Sequence, residues 1–127
     1  MDTAAMVNID VATGTDLVRQ LESAKLKLNV ALWAVLSEYG DWRLIVASRQ
    51  LDSLDLRDAY GKLHDTLSAA GYTSRTTPPI VIIPMSDPFV RALRRYFAKT
   101  KDVEGMRLGG QLFGDRFVED AYVYRVS

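Results

Sequence analysis

The run Ile80-Val81-Ile82-Ile83, closed by Pro79 on one side and Pro84 on the other, is the strongest constraint this chain places on its fold. Successive side chains of a strand point to opposite faces, so four consecutive β-prone apolar residues make a strand that is apolar on both. Such a strand needs cover above and below, which predicts a central strand with helices or other layers on each side. With 127 residues the chain is long enough for one hydrophobic core and short for two. The expectation is therefore a single layered domain over 1–127, with residues 1–12 as a flexible N-terminal segment.

The surrounding segments supply the layers. A first helix is expected from Thr13, whose hydroxyl can cap the amide of Asp16, to about Lys25, with Leu17, Leu21 and Ala24 on one side. Leu28, Val30, Leu32, Ala34 and Leu36 alternate along a strand that turns at Glu38–Asp41 and returns through Trp42, Leu44 and Val46. This reading makes that set one core face and leaves Trp33, Val35, Ile45, Arg43 and Arg49 on a partly covered one. Asp55 is the expected cap of a second helix carrying Leu56, Ala59, Tyr60, Leu63 and Leu67, with Gly71 to end it. Asp87 or Ser86 caps a third, with Pro88 at its first position and Phe89, Val90, Leu93, Tyr96 and Phe97 inward.

Met106 to Val126 reads as a hairpin turning at Gly114-Asp115, which pairs Phe113 with Arg116, Gly110 with Glu119 and Gly109 with Asp120. A bulge at Gly109-Gly110 is the alternative, since glycine inside a strand often marks one. The order is then α-β-β-α-β-α-β-β, an α+β fold: a two- or three-layer sandwich with a five-stranded mixed sheet and three helices.

Composition excludes several function classes. There is no cysteine, so disulfides, thiolate metal sites and thiol nucleophiles are absent. With no cysteine and a single histidine, His64, a zinc site or a histidine-rich triad is not expected. No signal-peptide pattern and no membrane-length apolar run occurs, so the expected setting is the cytoplasm, with no membrane partner. Net charge is zero, yet residues 1–70 hold ten acids against seven bases and residues 71–127 six against nine.

Two constellations carry chemistry. Opposite the apolar stripe of the third helix lie Arg91, Arg94 and Arg95, extended by Lys99 and Lys101, with no acidic residue from Phe89 to Thr100. Guanidinium groups make paired hydrogen bonds to phosphate and carboxylate, so this face suits nucleic acid or an acidic protein surface. It is also what a solvated helix face looks like. The second constellation is Glu119-Asp120 opposite two glycines. The expected register surrounds Glu119 with Met106, Leu108, Leu112, Phe117, Ala121 and Val123, where it acts as a site or pairs with an arginine such as Arg43 or Arg49. Neighbouring strand residues face opposite ways, so Glu119 and Asp120 form a pair only across a bulge. Asp52, Asp55 and Asp58 lack the ligand density of a calcium loop, and Ile83 to Pro88 lacks the glycines of a phosphate loop.

The strand Trp42-Arg43-Leu44-Ile45-Val46-Ala47-Ser48, the helix start Asp87-Pro88-Phe89-Val90-Arg91-Ala92-Leu93-Arg94 and the closing Phe117-Val118-Glu119-Asp120-Ala121-Tyr122-Val123-Tyr124-Arg125 together resemble a family of small uncharacterised bacterial proteins. The resemblance implies a bacterial, single-domain cytoplasmic protein and carries no activity, cofactor or catalytic residue. The leading expectation is accordingly a non-catalytic binding module that uses Arg91, Arg94, Arg95 and Lys99, without a cofactor. The alternative is a metal-dependent phosphodiesterase-like hydrolase in which Glu119, Asp120 and Asp41 hold magnesium or manganese. A third route, homodimer formation through a sheet edge with Tyr122 and Tyr124 at the contact, is equally open to cover by a helix of the same chain.

Overall fold

The computed structural model describes residues 3–127, with side chains from Val11 onward. It is an α+β three-layer sandwich. β1 (Val30–Leu36) and β2 (Trp42–Ala47) form an antiparallel hairpin, and β3 (Ile80–Ile82) runs parallel to β2. On the other side of β1 lies β6 (Arg116–Val126), paired in turn with β4 (Arg107–Leu108) and β5 (Gln111–Phe113), so the sheet order is β3-β2-β1-β6-β4 with β5 also on β6. α1 (Thr3–Ser23) and α3 (Leu56–Ala69) cover one face, α4 (Pro88–Tyr96) covers the other, and α2 (Arg49–Asp52) is a single turn after β2.

Among the described residues the sheet thus has six strands, and four helices are formed. The extra strand arises because Gly109-Gly110 interrupts one arm of the C-terminal hairpin. The extra helix is seeded by Ser48, whose buried hydroxyl accepts from the Gln50 amide and donates to the Lys27 carbonyl.

Ile80–Ile82 takes an edge, where a central strand was expected. Both of its faces are nevertheless covered: Val81 and Ile83 pack into the α4 core, Ile80 and Ile82 into the core beneath α1 and α3. A doubly apolar run reports covered faces and says nothing about paired edges. At the open edge the Ile82 amide donates to the Tyr60 hydroxyl at 2.9 Å, so α3 caps a group that a neighbouring strand would otherwise take.

The first hairpin also departs from expectation. Leu32 pairs with Ile45 and Trp33 with Leu44, so even-numbered residues of β1 share a face with odd-numbered residues of β2. Val30, Leu32, Ala34, Ile45 and Ala47 therefore pack against α4, while Ala31, Trp33, Trp42, Leu44 and Val46 pack beneath α1 and α3. Neither face is left partly covered, because the connecting turn sets a parity that apolar alternation within each strand does not reveal.

α1 runs from Thr3 to Ser23, so Thr13 lies inside the helix and not at its N-cap. Gly14 has a packing role there: a Cβ at this position would lie 2.2 Å from the Tyr124 hydroxyl. That hydroxyl donates to the Val11 carbonyl at 2.9 Å, so the missing side chain lets β6 seat a tyrosine on the helix backbone. α3 begins on Asp55, which accepts from the Asp58 amide, and Gly71 follows its end with φ +97°. Tyr72 then donates its hydroxyl to Asp16 Oδ2 at 2.6 Å, tying the segment after α3 to α1. Among the described residues no helix is long and apolar enough to cross a membrane.

Gly14→Ala is expected to lower stability in urea unfolding by about 1–3 kcal/mol despite alanine's better helix propensity, because the Tyr124 ring must move. Gly61→Ala, on α3 with nothing within 4 Å of the added carbon, should raise it by about 0.5–1 kcal/mol. A gain from both would remove the packing role of Gly14. Tyr72 supplies a pH test. Burial, then the hydrogen bond and charge of Asp16, push its phenol up from 10.0 to about 12. The folded state therefore holds this proton more tightly than the unfolded chain. The stabilisation is whole below pH 10 and fades as pH rises toward about 12. In Tyr72→Phe the fall in stability across that window should be shallower than in the wild type.

Candidate functional site

α4 has the strongest amphipathic pattern in the chain, and its start is set locally. Asp87 accepts from the Phe89 amide at 2.9 Å, and Pro88 occupies the first turn, where its missing N–H costs nothing. Phe89, Val90, Leu93 and Phe97 are buried against the sheet. That inward set leaves Arg91, Arg95, Lys99 and Lys101 exposed to solvent. Arg94 is only half-buried, and its Nε donates to the main-chain oxygen of Ser127 at 3.0 Å, so it also fastens the end of β6. A cleft of about 420 Å³ runs beside this face, lined by Arg94, Arg95, Phe97, Thr100 and Ser127 among others.

Charge compensation separates this face from the strands β4 and β6. Arg107 pairs with Asp120 at 2.9 Å, Arg125 with Glu22 at 2.8 Å, and Arg116 with both Asp87 and Glu38. Among the described residues, no Asp or Glu side chain lies within ion-pair distance of Arg91, Arg94, Arg95, Lys99 or Lys101. The expected cationic face is formed in part by α4, with Arg91 and Arg95 outward on it and Arg94 partly engaged, while Lys99 and Lys101 lie exposed beyond the helix end at Tyr96.

The acid-bearing hairpin is built differently from the expectation. Its turn and register are as read: Gly114 has φ +63°, Phe113 pairs with Arg116, and the same register holds on both sides of the two glycines, from Leu108–Ala121 to Gln111–Val118. The bulge lies in β6, against β1, where Val35 pairs with Asp120 and Leu36 with Val118, leaving Glu119 as the additional residue. Val118 and Ala121 both enter the α4 core, so the two acids between them lie on the opposite side.

Glu119 is nonetheless exposed and without an ion pair, and Leu112 and Phe117 beside it are 66% and 42% exposed. The apolar surround and the link to Arg43 or Arg49 are not formed. Arg43 instead lies over the Tyr39 ring, 4.5 Å from its centroid. Asp120 is committed to Arg107, and Asp41 in the β1–β2 turn accepts from the Trp42 amide at 2.7 Å. Among the described residues no three acidic or histidine side chains come together as metal ligands. Tyr124 is buried beneath α1 and Tyr122 is half-buried, so these tyrosines face their own helix and are not an open contact surface. His64 is exposed on α3.

One connection escaped sequence reasoning. Arg116 reaches Asp87 at 3.2 Å and also Glu38, joining the hairpin to the α4 start and to the β1–β2 turn. Burial works against its charge, but the hydrogen bonds to Asp87 and Glu38 outweigh it and hold the guanidinium more firmly protonated than usual. The Gly114 turn makes this possible: a Cβ there would lie 2.6 Å from the Pro88 carbonyl carbon. Sequence shows Asp87 as a cap and Arg116 as a turn neighbour, and nothing local joins them.

No protein-family model, no curated protein and no solved structure matches this chain.

Arg116→Ala should cost about 1–3 kcal/mol in chemical unfolding, since it strips a part-buried charge from two carboxylates. Glu119→Gln should stay within about 0.5 kcal/mol of the wild type, as expected for an exposed residue without a partner. Equal losses would mean that Glu119 has a structural role after all.

Proposed function

We propose that the protein is a non-catalytic binding module that presents the outer face of α4 to a polyanionic partner, with Arg91, Arg95 and Lys99 as its contacts and Arg94 in a supporting place. The observation that carries this reading is the cluster itself: Arg91, Arg95, Lys99 and Lys101 are all exposed, no acidic residue occurs from Phe89 to Thr100, and among the described residues no Asp or Glu side chain pairs with them. Unmatched cations on a helix and the turn that follows it gain from counterion release on binding phosphate. Nucleic acid is the partner class these groups suit first, and an acidic protein surface is the other. The absence of cysteine supports a reducing, cytoplasmic setting.

Fluorescence anisotropy with labelled single- and double-stranded DNA and RNA tests the reading. Wild-type binding should weaken linearly in log salt. The variant Arg91→Ala, Arg95→Ala, Lys99→Ala should bind more weakly on every sequence, with a slope smaller by about 1 per lost phosphate contact. Arg94 is kept because of its bond to Ser127. Wild-type affinity retained by the triple variant would refute the assignment to α4. Absence of nucleic-acid binding at low salt would move the reading to an acidic protein partner.

A further inference from the structure

Spacing places Tyr96 on the inward stripe of α4 with Phe89, Val90, Leu93 and Phe97, yet those four are buried and Tyr96 is 53% exposed. Its ring is braced from within. It stands nearly perpendicular to Phe97, with centroids 4.9 Å apart, and to Phe113 of β5, at 5.4 Å. Edge-to-face contacts of this kind are favourable and set the orientation of a ring. Single exposed apolar side chains are ordinary, so the company they keep is what separates them. Of the three exposed tyrosines, Tyr39 has the Arg43 guanidinium over its ring at 4.5 Å, and the Tyr60 hydroxyl accepts from the Ile82 amide. Among the described residues Tyr96 has neither a cation over its ring nor a hydrogen bond on its hydroxyl.

The helix sets this open ring beside the unmatched cations. The Tyr96 Cα follows that of Arg95 at about 3.8 Å, and Arg91 lies one turn behind Arg95, about 6 Å along the axis. Tyr96 is about 100° round the helix from Arg95, at the border between the cationic and the buried faces. Lys99 is exposed in the turn just past the helix end. Charge therefore lies on one side of the border and an aromatic surface on the other. Cations alone neutralise the phosphates of any nucleic acid. An open ring adds to binding only when a base is free to leave its own stack, which holds for single strands and not for a duplex.

We propose that this face is a single-strand site, in which Arg91, Arg95 and Lys99 hold phosphates of single-stranded DNA or RNA and an unstacked base lies on the Tyr96 ring. The inference rests on the reading of α4 as a polyanion-binding face, and it adds the class of polyanion and the residue that selects it. Every base has a π-face, so stacking on one tyrosine reads strandedness and tolerates any sequence.

Fluorescence anisotropy with four labelled probes tests this: a dT tract and a rU tract of about twelve nucleotides, within the span one small domain covers, an abasic DNA tract with the same number of phosphates, and a duplex. The wild type should bind the dT and rU tracts about tenfold more tightly than the abasic tract, the gain expected from one stacked base. Tyr96→Leu keeps an apolar side chain against Phe97 and Phe113. It should bring dT and rU down to the abasic level, leaving abasic and duplex affinities and the salt slope unchanged. Tyr96→Phe keeps the ring and should keep the preference. Equal wild-type affinity for base-bearing and abasic tracts would overturn the inference while leaving α4 as a polyanion-binding face. So would a preference that survives Tyr96→Leu, or a uniform loss on all four probes, which would make Tyr96 a structural residue. No binding to any probe at low salt would remove the underlying reading, and this one with it.

Discussion

β1 lies between β2 and β6 with Val30, Ala31, Leu32 and Ala34 at 0% exposure and Trp33 at 3%. A strand buried on both faces and paired along both edges has no free surface, so every other element is positioned relative to it. α4 covers one of its faces and α1 with α3 the other. The two cores are separated only by the sheet, and residue parity along β1 decides which side chain serves which. A shift of one residue along β1 would exchange them, sending Trp33 toward α4 and the small Ala34 toward α1.

β6 meets that constraint by breaking its own regularity. Its pairing with β1 shifts register twice, at Ala31/Leu32 and at Val35/Leu36. The second shift lets Val118 and Ala121 both serve the α4 core although they are three residues apart. Glu119 is the residue expelled, which accounts for a carboxylate amid apolar sequence without any need for chemistry. Opposite it, Gly110 has φ +64°, and a Cβ on Gly109 would stand 3.3 Å from the Glu119 carbonyl oxygen. The glycines and the acid belong to one irregularity of the sheet.

Electrostatics sets α4 apart from the strands β4 and β6 in a way that follows from this frame. Arg116, Arg107 and Arg125 all project from strands into places where a carboxylate from another element already waits. Arg91 and Arg95 project from a helix whose inner side is filled by Phe89, Val90, Leu93 and Phe97, and among the described residues no Asp or Glu side chain pairs with them. Their location near the helix C-terminus suits the helix dipole, which makes the face stable without a partner and still open to one.

Local chemistry was legible where neighbours in sequence decide the outcome. The Asp55 and Asp87 caps, Pro88 at the head of α4, the Gly114 turn with its Phe113–Arg116 pairing, and the outward cations of α4 follow from bonds spanning a few residues or from the 3.6-residue period. What only the tertiary structure decided involves distant partners: the edge position of β3, the parity between β1 and β2, the expulsion of Glu119, the reach of Arg116 to Asp87 and Glu38, and the meeting of Trp33 with Trp42. Apolar alternation states that a face must be buried, not against what. Register, strand order and long-range ion pairs are settled by which distant surfaces fit together, and no short stretch of sequence contains both halves of that fit.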